Sequence, residues 1–567
     1  MATTRRRARR APSERSFTRN PRFEAMAVIV ECAPTEDPIH VVRRVAARAS
    51  VGRWRVEHVA APEPRRAEFE LIPPRRGRTP APGAAWDITY RLRDQPEVVH
   101  AEPLFRYGVE DMYRPPARRA SGGGGDDPAT DHNYEWPLPK TNLQAAWALF
   151  GARPPGAGVT VGHPDTGYTP HPELADPARL LVGQGHDYED DDPDPLDDLD
   201  DGLLDNPGHG TGTGSVIVSN RGLAPGNGGP AFVSGAAPYA SLIPIRTTES
   251  VVLLSMRGLR RAIDHAVDKG AQVISISLGG PLPGLTLLSA IRRAVDAGTI
   301  VLAAAGNKVR VVVYPAAFDE VIAVAASTIA DQPWPDSCRG DAVDITAPGA
   351  SVWRAAVTGT GANPYTVTRG SGTSFAVALT AGIAALWISY HGWSNLVRRY
   401  GTGSIARVFK SLLQATCRRL PGWDTDDFGP GIVDAGALLA APLPAHVPAR
   451  KMRDARRAAV ATDATGLETL VHLLPEAPRT GVERTVATLL GVPERELPRV
   501  LQDVGDELAF QLVMRPALRD DLERQARRPA RRARAVTAGA ALKLSRTDVS
   551  RRLRARVSPG RRDRRRG

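Results

Sequence analysis

The chain is expected to fold as an α/β protein: a mainly parallel sheet with helices on both faces, preceded by a small α/β unit and followed by a helical region. Three observations lead there. From His132 to about Ala440, short Val/Ile/Ala runs alternate with helix-like stretches, the pattern of buried parallel strands joined by crossover helices. Residues 26–112 carry strand and helix periodicities of their own. Beyond a proline-rich stretch, Ala441–Arg450, leucines and valines recur at helical spacing.

Taken in order, residues 1–25 form a basic arm with 8 Arg against 2 Glu. In 26–112, strands are expected at Met26–Cys32, Phe69–Ile72 and Val98–Phe105. Helices are expected at Pro38–Ala49, with Val41, Val42 and Val45 on one face, and at Ala84–Arg93. The segment 113–131 has the glycines, prolines and mixed charges of a linker. In 132–440, strands are expected at Gly158–Gly162, Ser241–Arg246, Gln272–Leu278, Ile300–Ala304, Val321–Ala325 and Val343–Ile345. Helices are expected at Leu253–Lys269 and Leu287–Ala297. A second linker spans 441–455, and a small helical domain 456–514 is punctuated by Pro475, Pro493 and Pro498. The rest, 515–567, reads as an arginine-rich tail, partly disordered or forming an arginine-rich helix.

Length and composition bound the function. A chain of 567 residues suits two to four domains. No run approaches the ~18 apolar residues of a membrane span, and no apolar core follows the basic N-terminus, so no Sec export is expected and the location reads as cytoplasmic. Cys32, Cys338 and Cys417 are too few and too scattered for a disulfide framework, which fits a reducing compartment. The net charge of +12 is concentrated at the ends: 515–567 alone carries 19 Lys/Arg against 5 Asp/Glu, and the centre is mildly acidic. Such arms suit nucleic acid, an anionic surface or an acidic partner, and read equally as solvated tails.

Three short motifs carry chemistry: Asp165-Thr166-Gly167 after an apolar strand, Gly208-His209-Gly210-Thr211 before a helix, and Gly372-Thr373-Ser374-Phe375-Ala376 before a small-residue helix. A serine hydroxyl attacks well only when a base takes its proton. Histidine titrates near neutrality, and a carboxylate behind it fixes its tautomer and stabilises the imidazolium. Singly, each motif reads as a turn, a structural histidine or a helix cap. The order Asp…His…Ser is that of the subtilisin arrangement.

The span His132–Ala440 resembles the subtilisin-like serine peptidase family. Beyond the three motifs, the resemblance rests on Asn142–Trp147, His171–Leu174, Gly235–Pro238, Ser277–Gly280, Ala303–Asn307, Tyr314-Pro315, Ala347–Gly349 and Gly429–Ala435. It implies a serine endopeptidase with Asp165, His209 and Ser374 as catalytic triad and Asn307 as oxyanion donor. It also implies that Ser277, Leu278, Gly279 and Gly306 bind substrate, the strand by backbone pairing. The stretch Leu92–Pro103 resembles the end of the family's propeptide. The N-terminal unit, expected to be ferredoxin-like, then reads as an inhibitory propeptide cut in 106–131, or as a permanent accessory domain.

The sequence departs from the family in places. The strand before Asp165 contains His163 and Pro164. Ala378 and Leu379 stand where a proline and a histidine are usual. Lys308–Val313, expected to line the S1 pocket, is short. No cofactor is required. The acidic run Asp187–Asp205, with eleven carboxylates, reads first as a solvated loop, and otherwise as a site for a structural calcium ion or a subsite for basic substrate residues. Protein or peptide substrates are the expected partners, with a further partner for the C-terminal helical domain. The alternative to an active peptidase is a catalytically silent, peptide-binding scaffold; a third reading makes the peptidase the output of a regulated intracellular effector.

Overall fold

The computed structural model describes residues 23–32, 37–63, 66–73, 80–107, 127–131, 133–199, 206–219, 232–249, 251, 256–280, 284–308, 311–357, 364–448, 466–474, 477–513, 515–528, 544 and 548–557. The basic arm through 22, the linker expected at 113–131 as far as 126, and the final ten residues lie outside them.

The N-terminal unit has the element order β1 (Phe23–Cys32), α1 (Pro38–Arg48), β2 (Arg55–Glu63), β3 (Arg66–Ile72), α2 (Pro82–Arg93) and β4 (Val98–Tyr107). Its strands form one sheet in the order β2-β3-β1-β4, and β1 runs antiparallel to both neighbours. This is the ferredoxin-like arrangement. Asp37 caps α1 by accepting from the His40 amide, and Pro38 opens the helix. Val42, Val45 and Ala46 of α1, with Ile88 and Leu92 of α2, cover Val28, Val30 and Phe69 of the sheet. Strand β2 was not expected; its alternation is broken by a register shift between His58 and Ala60.

The central sheet has seven strands: β5 (Thr160–Asp165), β6 (His186–Asp187), β7 (Ser241–Arg246), β8 (Val273–Ile276), β9 (Ile300–Ala304), β10 (Ile322–Ser327) and β11 (Ile345–Pro348). Their spatial order is β11-β10-β9-β8-β5-β7-β6, with parallel pairing throughout. The winding reverses between β5 and β8, which opens a crevice at their carboxyl ends. The helices Arg257–Asp268 and Leu285–Asp296 lie on one face, and Thr373–His391 with Ile405–Thr416 on the other. The helix Thr373–His391 is long and apolar enough to cross a bilayer, but 89% of that window is buried inside the molecule. All three cysteines are buried.

Strand β5 runs on through His163 and Pro164 to Asp165. Asp165 accepts from the Thr247 amide on the β7 side, so the missing donor of Pro164 faces β8. Pairing with β8 stops at Gly162, and no ladder bond is forfeited there.

The C-terminal region is helical: Leu467–Leu473, Arg479–Leu490, Leu497–Val513, Pro516–Ala526 and Arg551–Val557. The last two helices fall within the arginine-rich segment 515–567. Leu518, Leu522, Leu553 and Val557 are buried in one core with Leu470, Val486, Leu501 and Leu508. Arginines flanking these apolar positions disguised an ordinary amphipathic pattern. Ala85, Trp86 and Tyr90 of α2 belong to the same core.

Candidate active site

Asp165 closes β5 and is fully buried. Its Oδ1 accepts from His209 Nδ1 at 2.7 Å and from the Thr166 amide at 2.8 Å, and its Oδ2 accepts from Thr213 Oγ1 at 3.2 Å. Burial pushes the carboxyl up, but the His209 ring, with help from His163 and the Thr166 amide, outweighs it and holds Asp165 below its ordinary range. His209 opens the helix His209–Val218 after Gly208, which sits at φ +73°. With Nδ1 committed to Asp165, Nε2 is the atom left to exchange a proton.

A layer behind these groups fixes them. Thr166 Oγ1 donates to Asp197 Oδ2 at 2.6 Å and accepts from the Gly210 amide at 3.0 Å. Asp197 also accepts from the amides of Gly208 and Leu199, each at 2.9 Å. The turn after β5 is thereby tied to the start of the His209 helix. Burial, against those hydrogen bonds, raises the Asp197 carboxyl. A Cβ on Gly210 would stand 2.1 Å from the Gly167 carbonyl, so only glycine permits this approach.

Ser374 is the second residue of the buried helix Thr373–His391. The Asn307 carbonyl oxygen accepts from the Thr373 amide at 3.0 Å and from its hydroxyl at 2.9 Å, which turns Nδ2 the other way. Thr373 Oγ1 in turn accepts from the Gly306 amide at 3.2 Å. A Cβ on Gly372 would lie 3.5 Å from Asn307 Nδ2, 3.7 Å from the Ser374 amide nitrogen and 3.8 Å from Ser374 Oγ. Two donors and a hydroxyl therefore surround one small space. The His209 ring lies 6.4 Å from that of Phe375, in the first turn of the same helix. Ser374 Oγ donates to the Ser277 carbonyl at 3.4 Å rather than to His209, longer than an ordinary O–H···O bond and easily exchanged.

Ser277, Leu278 and Gly279 follow β8. Leu278 is buried in the core, so only its backbone faces outward to a ligand. The Gly279 amide donates to the Val251 carbonyl at 3.1 Å, and Gly280 exchanges two 2.8 Å bonds with Tyr314. Cβ atoms placed on Gly279 and Gly306 would meet Val313 Cγ2 at 2.5 and 3.1 Å. Val313 thus fills the gap between the two segments.

His163 is buried directly behind the site. Its Nε2 lies 3.0 Å from Thr213 Oγ1 and 3.7 Å from Asp165 Oδ2. Burial lowers its pKa against the pull of the Asp165 charge, so the ring stays neutral.

Along the acidic run, Asp187, Asp190 and Asp198 converge with Glu249 on Arg246, whose side chain is only 2% exposed. Their hydrogen bonds and charges overcome burial and raise the guanidinium further. Among the described residues, no three acidic, His or Cys side chains are grouped to hold a metal ion. These carboxylates ligate a guanidinium, and 200–205 of the same acidic run lie outside the described residues.

The sequence did not single out Asp197 or Thr213, and it named Thr373 only within its motif and Val313 only as the end of the stretch expected to line the S1 pocket. Thr373 sits inside the Gly-Thr-Ser motif, whereas Asp197 is one of eleven similar carboxylates and nothing local distinguishes it.

The comparisons with known proteins agree with this architecture. Residues 156–428 match the family model described as "Subtilase family". Thermitase from Thermoactinomyces vulgaris is 33% identical over 236 residues, covering 41% of this chain and 76% of that protein. A thermophilic serine proteinase from Bacillus sp. (strain AK1) is 31% identical over 312 residues, covering 54% and 67%. The crystal structure of fervidolysin from Fervidobacterium pennivorans, a keratinolytic enzyme related to subtilisin, is 21% identical with a TM-score of 0.54 over 74% of this chain and 62% of that one, a likeness of fold. The chain belongs to the subtilase family. It is a serine endopeptidase acting on protein or peptide substrates.

Proposed function

We propose that Ser374 is the nucleophile, His209 the proton carrier and Asp165 its orienting carboxylate, with Asn307 Nδ2 and the Ser374 amide as the oxyanion donors. The observation that carries this is the convergence of those two donors and the Ser374 hydroxyl on one space beside Gly372. Ser374 Oγ bonds to the scissile carbonyl carbon as His209 Nε2 takes its proton, and the carbonyl π pair moves onto oxygen, toward the donors. Collapse breaks the C–N bond, and His209 returns the proton to the departing amine. Water, deprotonated by the same nitrogen, then cleaves the acyl-enzyme and restores Ser374.

The substrate's P1 side chain enters between Ser277–Gly279 and Gly306, the gap that Val313 fills, so small P1 residues are preferred. Exposed, flexible loops supply the extended conformation this cleft requires.

The N-terminal unit is read as an inhibitory propeptide, cut within 106–131. Its support is the sequence Leu92–Pro103 and the docking of the sheet on the peptidase through Glu70, which is 1% exposed and 2.6 Å from Arg257. Intact mass and peptide hydrolysis of the wild type beside Ser374→Ala test both readings. Wild type shortened by the N-terminal unit, with Ser374→Ala intact and inert, is the expected result. Equal masses would end the self-processing reading. Failure of a fluorophosphonate to label folded wild type at Ser374 would end the catalytic one and favour a silent scaffold.

A further inference from the structure

Helix α2 has two buried faces. Ile88 and Leu92 pack on the sheet of its own unit. Ala85, Trp86 and Tyr90 pack into the core of the C-terminal helices, with Trp86 6.2 Å from the ring of Phe510. A helix of an independent propeptide would turn that second face to water; here a segment more than 400 residues downstream covers it.

The polar contacts are matched as closely. Tyr90 donates to Glu507 at 3.0 Å, and Glu507 accepts from the Ser550 amide at 2.7 Å, all three groups being buried. Arg93 pairs with Asp506 at 2.8 Å, and Arg552 bridges Asp94 and Asp503 at 2.6 Å each while lying over the Tyr90 ring. The helix termini are exchanged too. No side chain of its own unit caps α2; Asp548 accepts from the Gly83 amide in its first turn. In return, Asp87 of α2 accepts from the Arg551 amide at the start of the last helix, at 2.8 Å. Each unit thus supplies the carboxylate that the other's helix N-terminus requires. A Cβ on Gly83 would lie 2.6 Å from the Val549 carbonyl, so the backbones touch.

We infer that the C-terminal helical unit, 467–557, is a clamp for the chain's own N-terminal unit, retaining it through α2 after the connecting segment has been cut. The partner expected for the helical domain is then the N-terminal unit itself. The role of the clamp rests on reading that unit as a propeptide: the unit is held by two surfaces, the peptidase at Glu70 and the clamp at α2, and cutting the connection does not set it free.

The test uses the full chain carrying Ser374→Ala, with a recognition site for a sequence-specific protease inserted between 113 and 125. After that cut, gel filtration should show the N-terminal fragment co-eluting with the remainder. Arg257→Ala, which weakens only the peptidase contact, should leave it co-eluting. Gly83→Leu should speed release by about tenfold or more, because the side chain strikes the Val549 backbone. Leucine favours a helix over glycine, so the fragment's own folding does not suffer. Arg93→Asp should also speed release, and adding Asp506→Arg should slow it again. Immediate release from the unaltered clamp, or release indifferent to Gly83→Leu and to the charge swap, overturns the inference. Retention by an otherwise identical cut chain with Ser374 intact and fully active would leave the clamp standing while ending the inhibitor reading.

Discussion

His163 places a second imidazole against the Asp165 carboxylate, on the side away from His209. Asp165 gives Oδ1 to His209 at 2.7 Å, while His163 stays 3.7 Å from Oδ2 with Thr213 beside both. Burial keeps the ring neutral in the fold, whereas the unfolded chain protonates it below about pH 6.5. Its contribution to stability is therefore present above that pH and is lost as pH falls. His163→Gln, which can still bond Thr213, should flatten the fall in Tm between pH 7 and 5; parallel Tm curves would refute this account. Asn307→Ala should lower kcat by ~10²–10³ with little change in KM, a magnitude borrowed from a subtilisin donor rather than derived for this chain. Thr373 holds that amide outward, so its loss should act in the same direction and more weakly. Val313→Gly should shift cleavage toward large P1 side chains, read from kcat/KM over a peptide series; an unchanged ranking would show that Val313 does not bound the pocket.

Among the elements, the end of β7 shows how far local pattern reaches. The strand Ser241–Arg246 is legible as an apolar run, but nothing local says where its terminal arginine goes. In the fold, Arg246 is buried and gathers carboxylates from the loop after β6. Arg246→Met should leave Asp187, itself 2% exposed, as a buried and unpaired charge. A loss of roughly 3–5 kcal/mol is expected, seen in the denaturation midpoint; a change below about 1 kcal/mol would mean that the loop simply opens to water. The same boundary separates what could and could not be read elsewhere. Most strands of the central sheet are visible because apolar runs are local signals, whereas the triad motifs and the Asn307 segment are legible through their order along the chain and the family resemblance. Asp197 and the second face of α2 matter only through neighbours distant in sequence, and β2 hides behind a bulge. The helices Pro516–Ala526 and Arg551–Val557 are disguised by their arginines, two of which, Arg551 and Arg552, pair with Asp87 and Asp94 of the N-terminal unit.

For the whole molecule, the contact between the first and last units contains a group that couples their association to pH. Glu507 is held by Ser550 and Tyr90 and faces Asp87 of α2, with Asp503 and Asp506 on its own helix and Arg93, Arg551 and Arg552 around the rim. Burial, aided by the Asp87 charge and against the hydrogen bonds from Ser550 and Tyr90, pushes its carboxyl up to about 7, from an ordinary 4.5. Removing α2 uncovers this carboxyl and lets its pKa fall back. Between those two values the docked state holds a proton that the separated state releases. The contribution of this carboxyl to docking is thus full below about pH 4.5, weakens as pH rises through the window, and is flat above about 7. In the cut, inactive chain, the N-terminal fragment should leave faster at pH 8 than at pH 5, and Glu507→Gln should abolish most of that difference. The opposite slope, or a slope that survives Glu507→Gln, would assign the coupling to another group. With the expected slope, raising the pH through this window loosens the clamp and favours release of the N-terminal unit.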